Sequence, residues 1–266
     1  MSADQKVALV TGGSSGIGLS CAKALKARGW RVFTLSRREE GPNEFEHLRA
    51  DVSSAEDCRS AVAAVLERSS HLDLLVNCAG FGISGAVEFT PEEEAKSQVS
   101  VNLFGTANMC KTVIPQMRAQ GGGCILNVSS FAALTPIPFQ VWYSVSKAGI
   151  NSYTMALANE LRPFGIRAAA IMPGDTRTGF TDVRRKCPEG DDVYHGIISR
   201  SVAKMEKDER GGMSPDFAGR MVARLAEKKR LAPLYTVGFS YKCLALLFKL
   251  LPAALSNRIL GMMYAS

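Results

Sequence analysis

The chain has 266 residues, 46% of them apolar, which is enough for a large core and ordinary for one α/β domain. Its seven cysteines, an odd number with no Cys-x-x-Cys pair, argue against a disulfide framework and a cysteine-ligated zinc site, and fit a reducing cytoplasm. The formal net charge of +7 is concentrated at the end: Lys228, Lys229, Arg230, Lys242, Lys249 and Arg258 follow Glu227 with no acidic residue after it, yet no nucleic-acid-binding signature accompanies them.

Met1 to Lys6 is short and polar, not a secretory leader, and runs directly into Val7-Ala8-Leu9-Val10, a continuous apolar run expected of a strand covered on both faces. Thr11-Gly12-Gly13-Ser14-Ser15-Gly16-Ile17-Gly18 then turns into a helical pattern. Glycines here let backbone approach a diphosphate, and a helix N-terminus offers it free N–H groups, so the stretch reads as a dinucleotide site. The second strand, Arg31 to Leu35, ends in Ser36-Arg37-Arg38 where an NAD enzyme carries an acidic residue. Ser36 does not repel a 2′-phosphate and Arg37 can grip one, which favours NADP over NAD; a solvated turn is the alternative.

The polar connector Glu39 to Glu44 is too short for a helix, so the third strand, Phe45 to Ala50, should follow directly, ending in Asp51-Val52. A helix over Ala55 to Arg68 and a strand over Leu72 to Val76 lead to Asn77-Cys78-Ala79-Gly80, whose small residues let a cofactor pass; Cys78 reads as a small buried side chain. Ala95 to Arg118 reads as one long helix containing Asn102. The strand-like run Gly123 to Ser129 ends at Ser130, and the apolar, proline-rich stretch Phe131 to Gln140 is a candidate pocket wall. Tyr143 and Lys147, four apart, share one face of the next helix, so a phenol and an ammonium can meet in one cavity.

A further strand, Ile166 to Ile171, leads into Pro173-Gly174-Asp175-Thr176-Arg177-Thr178. Residues 179–213 read as a lid over a substrate, Ser214-Pro215 as a helix start and Leu234 to Val237 as the seventh strand. The apolar, basic tail 239–266 has runs too short to cross a bilayer. Three readings of it stay open: packing on the fold, a subunit contact or lipophilic substrate cover, and peripheral contact with a membrane surface. His47, His71 and His195 lie outside the motifs and read as surface residues, and no metal is needed.

Together the glycine turn, spaced Gly-x-x-x-Gly-x-Gly, and the Ser130, Tyr143 and Lys147 set resemble the short-chain dehydrogenase/reductase family from about Val7 to Gly238. The resemblance implies a single-domain Rossmann-type doubly wound parallel sheet of about seven strands, and hydride transfer between NADP(H) and a carbonyl or secondary alcohol. It implies a catalytic role for Ser130, Tyr143, Lys147 and Asn102, the last through a water beside Lys147. It places Gly12, Ser14, Ser15, Gly16, Ile17, Gly18, Ser36, Arg37, Asn77, Ala79 and Gly80 around the cofactor, together with Tyr143 and Lys147, the latter on the nicotinamide ribose. Asp51 and Val52 would face adenine, though a plain turn aspartate is also open, and Pro173, Gly174, Thr176 and Thr178 would hold the carboxamide. A homodimer or homotetramer is implied, and the apolar wall and tail favour a steroid-, retinoid- or lipid-like substrate. Two rival readings are an NADPH-binding sensor without turnover and an epimerase or dehydratase that keeps its cofactor.

Overall fold

In a computed structural model, which describes residues 5–265, β1 (Val7–Thr11) is buried at every position. The lead-in Met1–Asp4 and Ser266 lie outside the described residues. Helix α1 (Gly16–Lys26) follows the glycine turn, and β2 (Arg31–Ser36) passes to β3 (Glu46–Arg49) with no helix between them, as the short polar connector predicts. Next come α2 (Ala55–Ser69), β4 (Leu74–Asn77), the short β5 (Ile83–Ser84), α3 (Glu92–Val99) and α4 (Gly105–Ala119). Strand β6 (Gly123–Val128), α5 (Val141–Leu161), β7 (Ile166–Met172) and β8 (Arg185–Lys186) lead to α6 (Ile197–Arg210), α7 (Asp216–Ala226) and β9 (Leu234–Thr236). The chain ends in α8 (Phe239–Leu250) and α9 (Ala253–Tyr264).

The main sheet has seven parallel strands in the order β3-β2-β1-β4-β6-β7-β9. The chain winds outward from β1 to β3, then returns to place β4 on the other side of β1. The carboxyl ends of β1 and β4 therefore flank a switch point, where a doubly wound sheet leaves a crevice for a ligand. Alternate residues of each strand feed two cores. Val7, Leu9, Phe33, Leu75 and Ile125 pack under α2, α4 and α5, while Ala8, Val10, Leu74, Val76 and Leu126 pack under α1 and α7. This two-faced burial is why β1 reads as an uninterrupted apolar run.

Two features depart from the sequence reading. The single helix expected over Ala95 to Arg118 starts earlier and is interrupted by a π turn, Ser100–Phe104, which contains Asn102. A small parallel sheet, β5 with β8, ties the segment after β4 to the segment after β7.

Helices α1 and α7 approach so closely that a Cβ on Gly219 would lie 2.5 Å from the backbone oxygen of Ser20. Neither backbone can retreat without disturbing the core beneath α1 and α7. Gly219→Ala is therefore expected to destabilise the fold by about 1–3 kcal/mol, seen as a lower urea midpoint; an unchanged midpoint would contradict this packing.

Candidate active site

At the carboxyl end of β1 the backbone itself forms a groove. Gly12 sits at φ +63°, and a Cβ there would lie 2.9 Å from the amide nitrogen of Ala79. A Cβ on Gly18 would lie 2.2 Å from the Gly12 carbonyl oxygen. Thr11 Oγ1 accepts from the N–H groups of Cys78 and Ala79, both at 3.1 Å, and so clamps the exits of β1 and β4 together. Ser14, Ser15, Gly16 and Ile17 complete this wall, and Ser15 places no side-chain bond on the first-turn N–H groups of α1. Those donors and the missing side chains fit a dinucleotide diphosphate.

Further along, Ser36, Arg37, Asp51 and Val52 line the groove. Arg37 is exposed and, among the described residues, forms no ion pair, so its guanidinium is available to an anion. His47, expected to be a plain surface residue, instead braces this turn. Its Nδ1 lies 3.0 Å from Thr34 Oγ1, and its Nε2 lies 3.3 Å from Ser36 Oγ and 3.2 Å from the Arg38 carbonyl. Asp51 Oδ1 accepts from the N–H and hydroxyl of Ser53 at 2.8 and 2.7 Å, so the carboxylate also organises its own turn.

The groove runs into a chamber, and the whole cavity measures about 1130 Å³. Tyr143 and Lys147 line the junction from the first turns of α5, with Ser130 opposite them at the exit of β6. Lys147 is buried, its Nζ donates to the Val128 carbonyl at 2.9 Å, and it stands 5.6 Å from the centre of the Tyr143 ring. Burial pushes the phenol up to about 12, while the Ser130 hydroxyl pulls the other way. Burial also pushes the Lys147 ammonium down to about 8. At neutral pH the phenol is thus fully protonated and the amine still mostly charged.

Asn102 is fully buried beside this pair rather than in the cavity wall. Its Oδ1 accepts from the Phe81 N–H at 3.0 Å, and its Nδ2 donates to the Phe81 carbonyl and to Ser146 Oγ, both at 3.1 Å. A Cβ on Gly80 would meet Asn102 Oδ1 at 2.9 Å and Lys147 Nζ at 3.7 Å, so glycine is what lets these groups approach. Pro173, Gly174, Thr176 and Thr178 lie along the cleft after β7, where the Thr178 side chain comes against Gly16 across the groove.

Asn77 is a correction. Its side chain turns into the core, donating to Asn127 Oδ1 at 2.9 Å, and does not reach the cavity. It stands in the last register of β4, where alternation points it toward α4 and away from the crevice. Cys78, read as buried, lies instead in the cavity wall with its thiol against Cys21.

Several cavity residues escaped the sequence reading. Asp175 reaches the chamber wall, where Tyr241 of α8 donates to its Oδ2 at 2.7 Å while accepting from its N–H at 2.9 Å. The Tyr241 ring lies over Gly174 and packs edge-on against Phe131 at 5.2 Å. Phe180 covers Tyr143 at 5.6 Å, and behind it the buried Arg184 pairs with Glu209 of α6. The inner faces of α8 and α9 close the chamber with Leu244, Phe248, Leu251, Ile259 and Leu260. In the proline-rich wall, Ile137 faces the cavity, whereas Phe139 packs edge-on against Tyr194. Asp175 and Tyr241 are 66 residues apart, and no local pattern joins them.

Residues 6–188 match the family model described as short chain dehydrogenase. The chain is 36% identical over 244 residues to a 3-ketodihydrosphingosine reductase of Bacteroides thetaiotaomicron, covering 88% of this chain and 91% of the relative. It is 35% identical over 199 residues to a 2-(R)-hydroxypropyl-CoM dehydrogenase of Xanthobacter autotrophicus, covering 69% and 80%. The crystal structure of a short-chain dehydrogenase from Streptomyces avermitilis superposes with a TM-score of 0.82 at 28% identity, over 97% of this chain and 95% of that one. With its glycine-lined groove at the β1–β4 switch point and the Ser130, Tyr143 and Lys147 side chains where that groove meets a chamber, the chain belongs to the short-chain dehydrogenase/reductase family of nicotinamide-dependent oxidoreductases.

Proposed function

We propose that the protein is an NADP(H)-dependent reductase of a long-chain ketone carrying an amino group beside the carbonyl, the kind of substrate named for the Bacteroides relative. The observation that carries the reading is the single cavity in which a glycine-lined dinucleotide groove meets a proton donor and then an apolar chamber. When bound in the groove, the cofactor supplies the hydride. Tyr143 donates the proton to the carbonyl oxygen as that oxygen gains charge, and a phenol held near 12 is in the protonated form that reduction needs. Ser130 donates a hydrogen bond to the same oxygen. Lys147, still mostly charged at neutral pH, offsets the negative charge left on the phenolate, and Asn102 belongs to the proton path behind it.

Arg37, free of carboxylate partners among the described residues, is the reason to choose NADPH: a guanidinium binds a 2′-phosphate with charge-assisted hydrogen bonds that a 2′-hydroxyl does not match. The apolar inner faces of α8 and α9 suit an alkyl chain. Asp175 suits the amine. Among the described residues no cation lies within ion-pair distance of its carboxylate; nearby Lys204 and Arg184 pair with Asp208 and Glu209. We read the chain as one Rossmann-type domain whose segment 179–213, anchored through Arg184 and Glu209, is the lid over the substrate. Exposed Phe104, Val145 and Met155 on the helices around Asn102 and Tyr143 support assembly into a homodimer or homotetramer.

Tyr143→Phe should lower turnover by about 10²–10⁴-fold while NADPH binding, followed by cofactor fluorescence, is kept. Near-normal turnover would refute the assignment, and a wild-type protein that binds NADPH without consuming it would favour a sensor or epimerase. Arg37→Gln should weaken NADPH binding about tenfold or more and leave NADH unchanged; equal effects on both would remove the case for NADP. Asp175→Asn should raise KM about tenfold or more for a long-chain 2-amino ketone but not for the same ketone without the amine. Tyr241→Phe keeps the carboxylate and controls for disturbance of α8, so a matching rise in KM for both ketones in Asp175→Asn would count against amine recognition.

A further inference from the structure

The two faces of α8 do different things. Tyr241, Leu244, Phe248 and Leu251 turn inward and line the chamber. Phe239, Cys243, Leu246 and Leu250, spaced four, three and four apart, form one outward stripe. Its large residues are among the most exposed apolar side chains of the protein: Phe239 is 83%, Leu246 60% and Leu250 74% exposed. Lys242 and Lys249, seven apart, run along one edge of the stripe. On α9, exposed Leu255 and Arg258 continue both the apolar and the basic character. Lys242, Lys249 and Arg258 form no ion pair among the described residues, and no acidic residue follows Glu227. Leu247 both lines the chamber and is 49% exposed, so the chamber wall reaches the surface beside the stripe.

We propose that the outer face of α8 and α9 docks on an anionic lipid bilayer surface, lying in its plane and presenting the mouth of the chamber to the membrane. Apolar side chains flanked by unpaired cations match the two layers of such a surface, acyl chains beneath anionic headgroups. No described helix is long and apolar enough to cross the bilayer, so the contact is an in-plane one. A second copy of the chain is a poorer occupant. A two-fold contact would set the Lys242 and Lys249 rows against their equivalents with no tail carboxylate to pair them. The docking deepens the lipophilic-substrate reading and rests on it for the cargo: a long-chain ketone held in a bilayer reaches Tyr143 without crossing water.

The test is co-sedimentation of the full chain with vesicles of phosphatidylcholine alone and of equimolar phosphatidylcholine and phosphatidylglycerol. Binding is expected on the mixed vesicles, weakening as salt is raised and much weaker on phosphatidylcholine alone. Leu246→Glu with Leu250→Glu should reduce it about tenfold or more, and Lys242→Gln with Lys249→Gln about tenfold or more at low salt. All four positions are exposed and lie outside the cavity, so NADPH consumption with a short water-soluble ketone should be unchanged in both variants. The proposal is overturned if the wild type stays in the supernatant with mixed vesicles at low salt, or if the glutamate variant sediments like the wild type. It is also overturned if the glutamate variant converts a dimer to a monomer in sedimentation velocity, which would make the face a contact between copies. Sedimentation is read without substrate, so a failure to reduce any ketone would overturn the catalytic reading alone.

Discussion

The carbonyl of Val128 and the Lys147 ammonium it receives fix the geometry on which the rest of the site depends. A buried cation is tolerated only where its protons are matched, and here one bond of 2.9 Å to the last residue of β6 does part of that work. Because the acceptor is a strand carbonyl, this bond ties α5 to the sheet, and a shift of α5 would break it. Other polar bonds prevent that. Ser129 Oγ donates to the Lys147 carbonyl at 2.9 Å, and Asn127 Nδ2 donates to Thr154 Oγ1 at 2.9 Å while its Oδ1 receives Asn77. Asn77, Asn127 and Thr154 thus form a buried polar ladder across β4, β6 and α5. In a low-dielectric interior such a ladder specifies one docking of the helix, and Tyr143 inherits its position from that docking.

The parts of this arrangement written in local periodicity were readable in advance. Phenol and amine four apart on a helix, a doubly buried first strand, and a connector too short and polar to be a helix each carry their meaning within a few residues. What escaped depends on contacts distant in sequence. Asn77 could be placed at the end of a strand, but which way its amide points follows from the strand's register against Asn127. The tail is apolar around most of its circumference, so its sequence does not say which side meets the chamber; Tyr241 decides that by bonding both the N–H and the carboxylate of Asp175. The π turn at Asn102 has no compositional mark, since the same residues would also satisfy an ordinary helix.

Burial serves two purposes in this cavity that pull in opposite directions. It holds the Tyr143 phenol protonated, yet it lowers the hold of Lys147 on its own proton. Helices α8 and α9 add to the dry environment by roofing the chamber, although their outer sides stay exposed. Roof and active site are joined at Asp175, one residue beyond the Gly174 on which the Tyr241 ring lies. A displacement of α8 would therefore be felt next to the position where the nicotinamide is expected, and not only at the surface.

The π turn over Ser100–Phe104 also constrains how the chain can tolerate insertion and deletion. It contains one residue more than a regular turn, which rotates everything after it by about 100° about the helix axis. Removing any one of those five residues would relax the helix into ideal geometry and make it locally more favourable. The same removal would swing Met109, Val113 and Met117 out of the core beneath α4, or turn Asn102 away from Ser146 and Phe81. The irregular turn is thus a phase adjuster, matching a helix end that must face the sheet to one that must face the lysine.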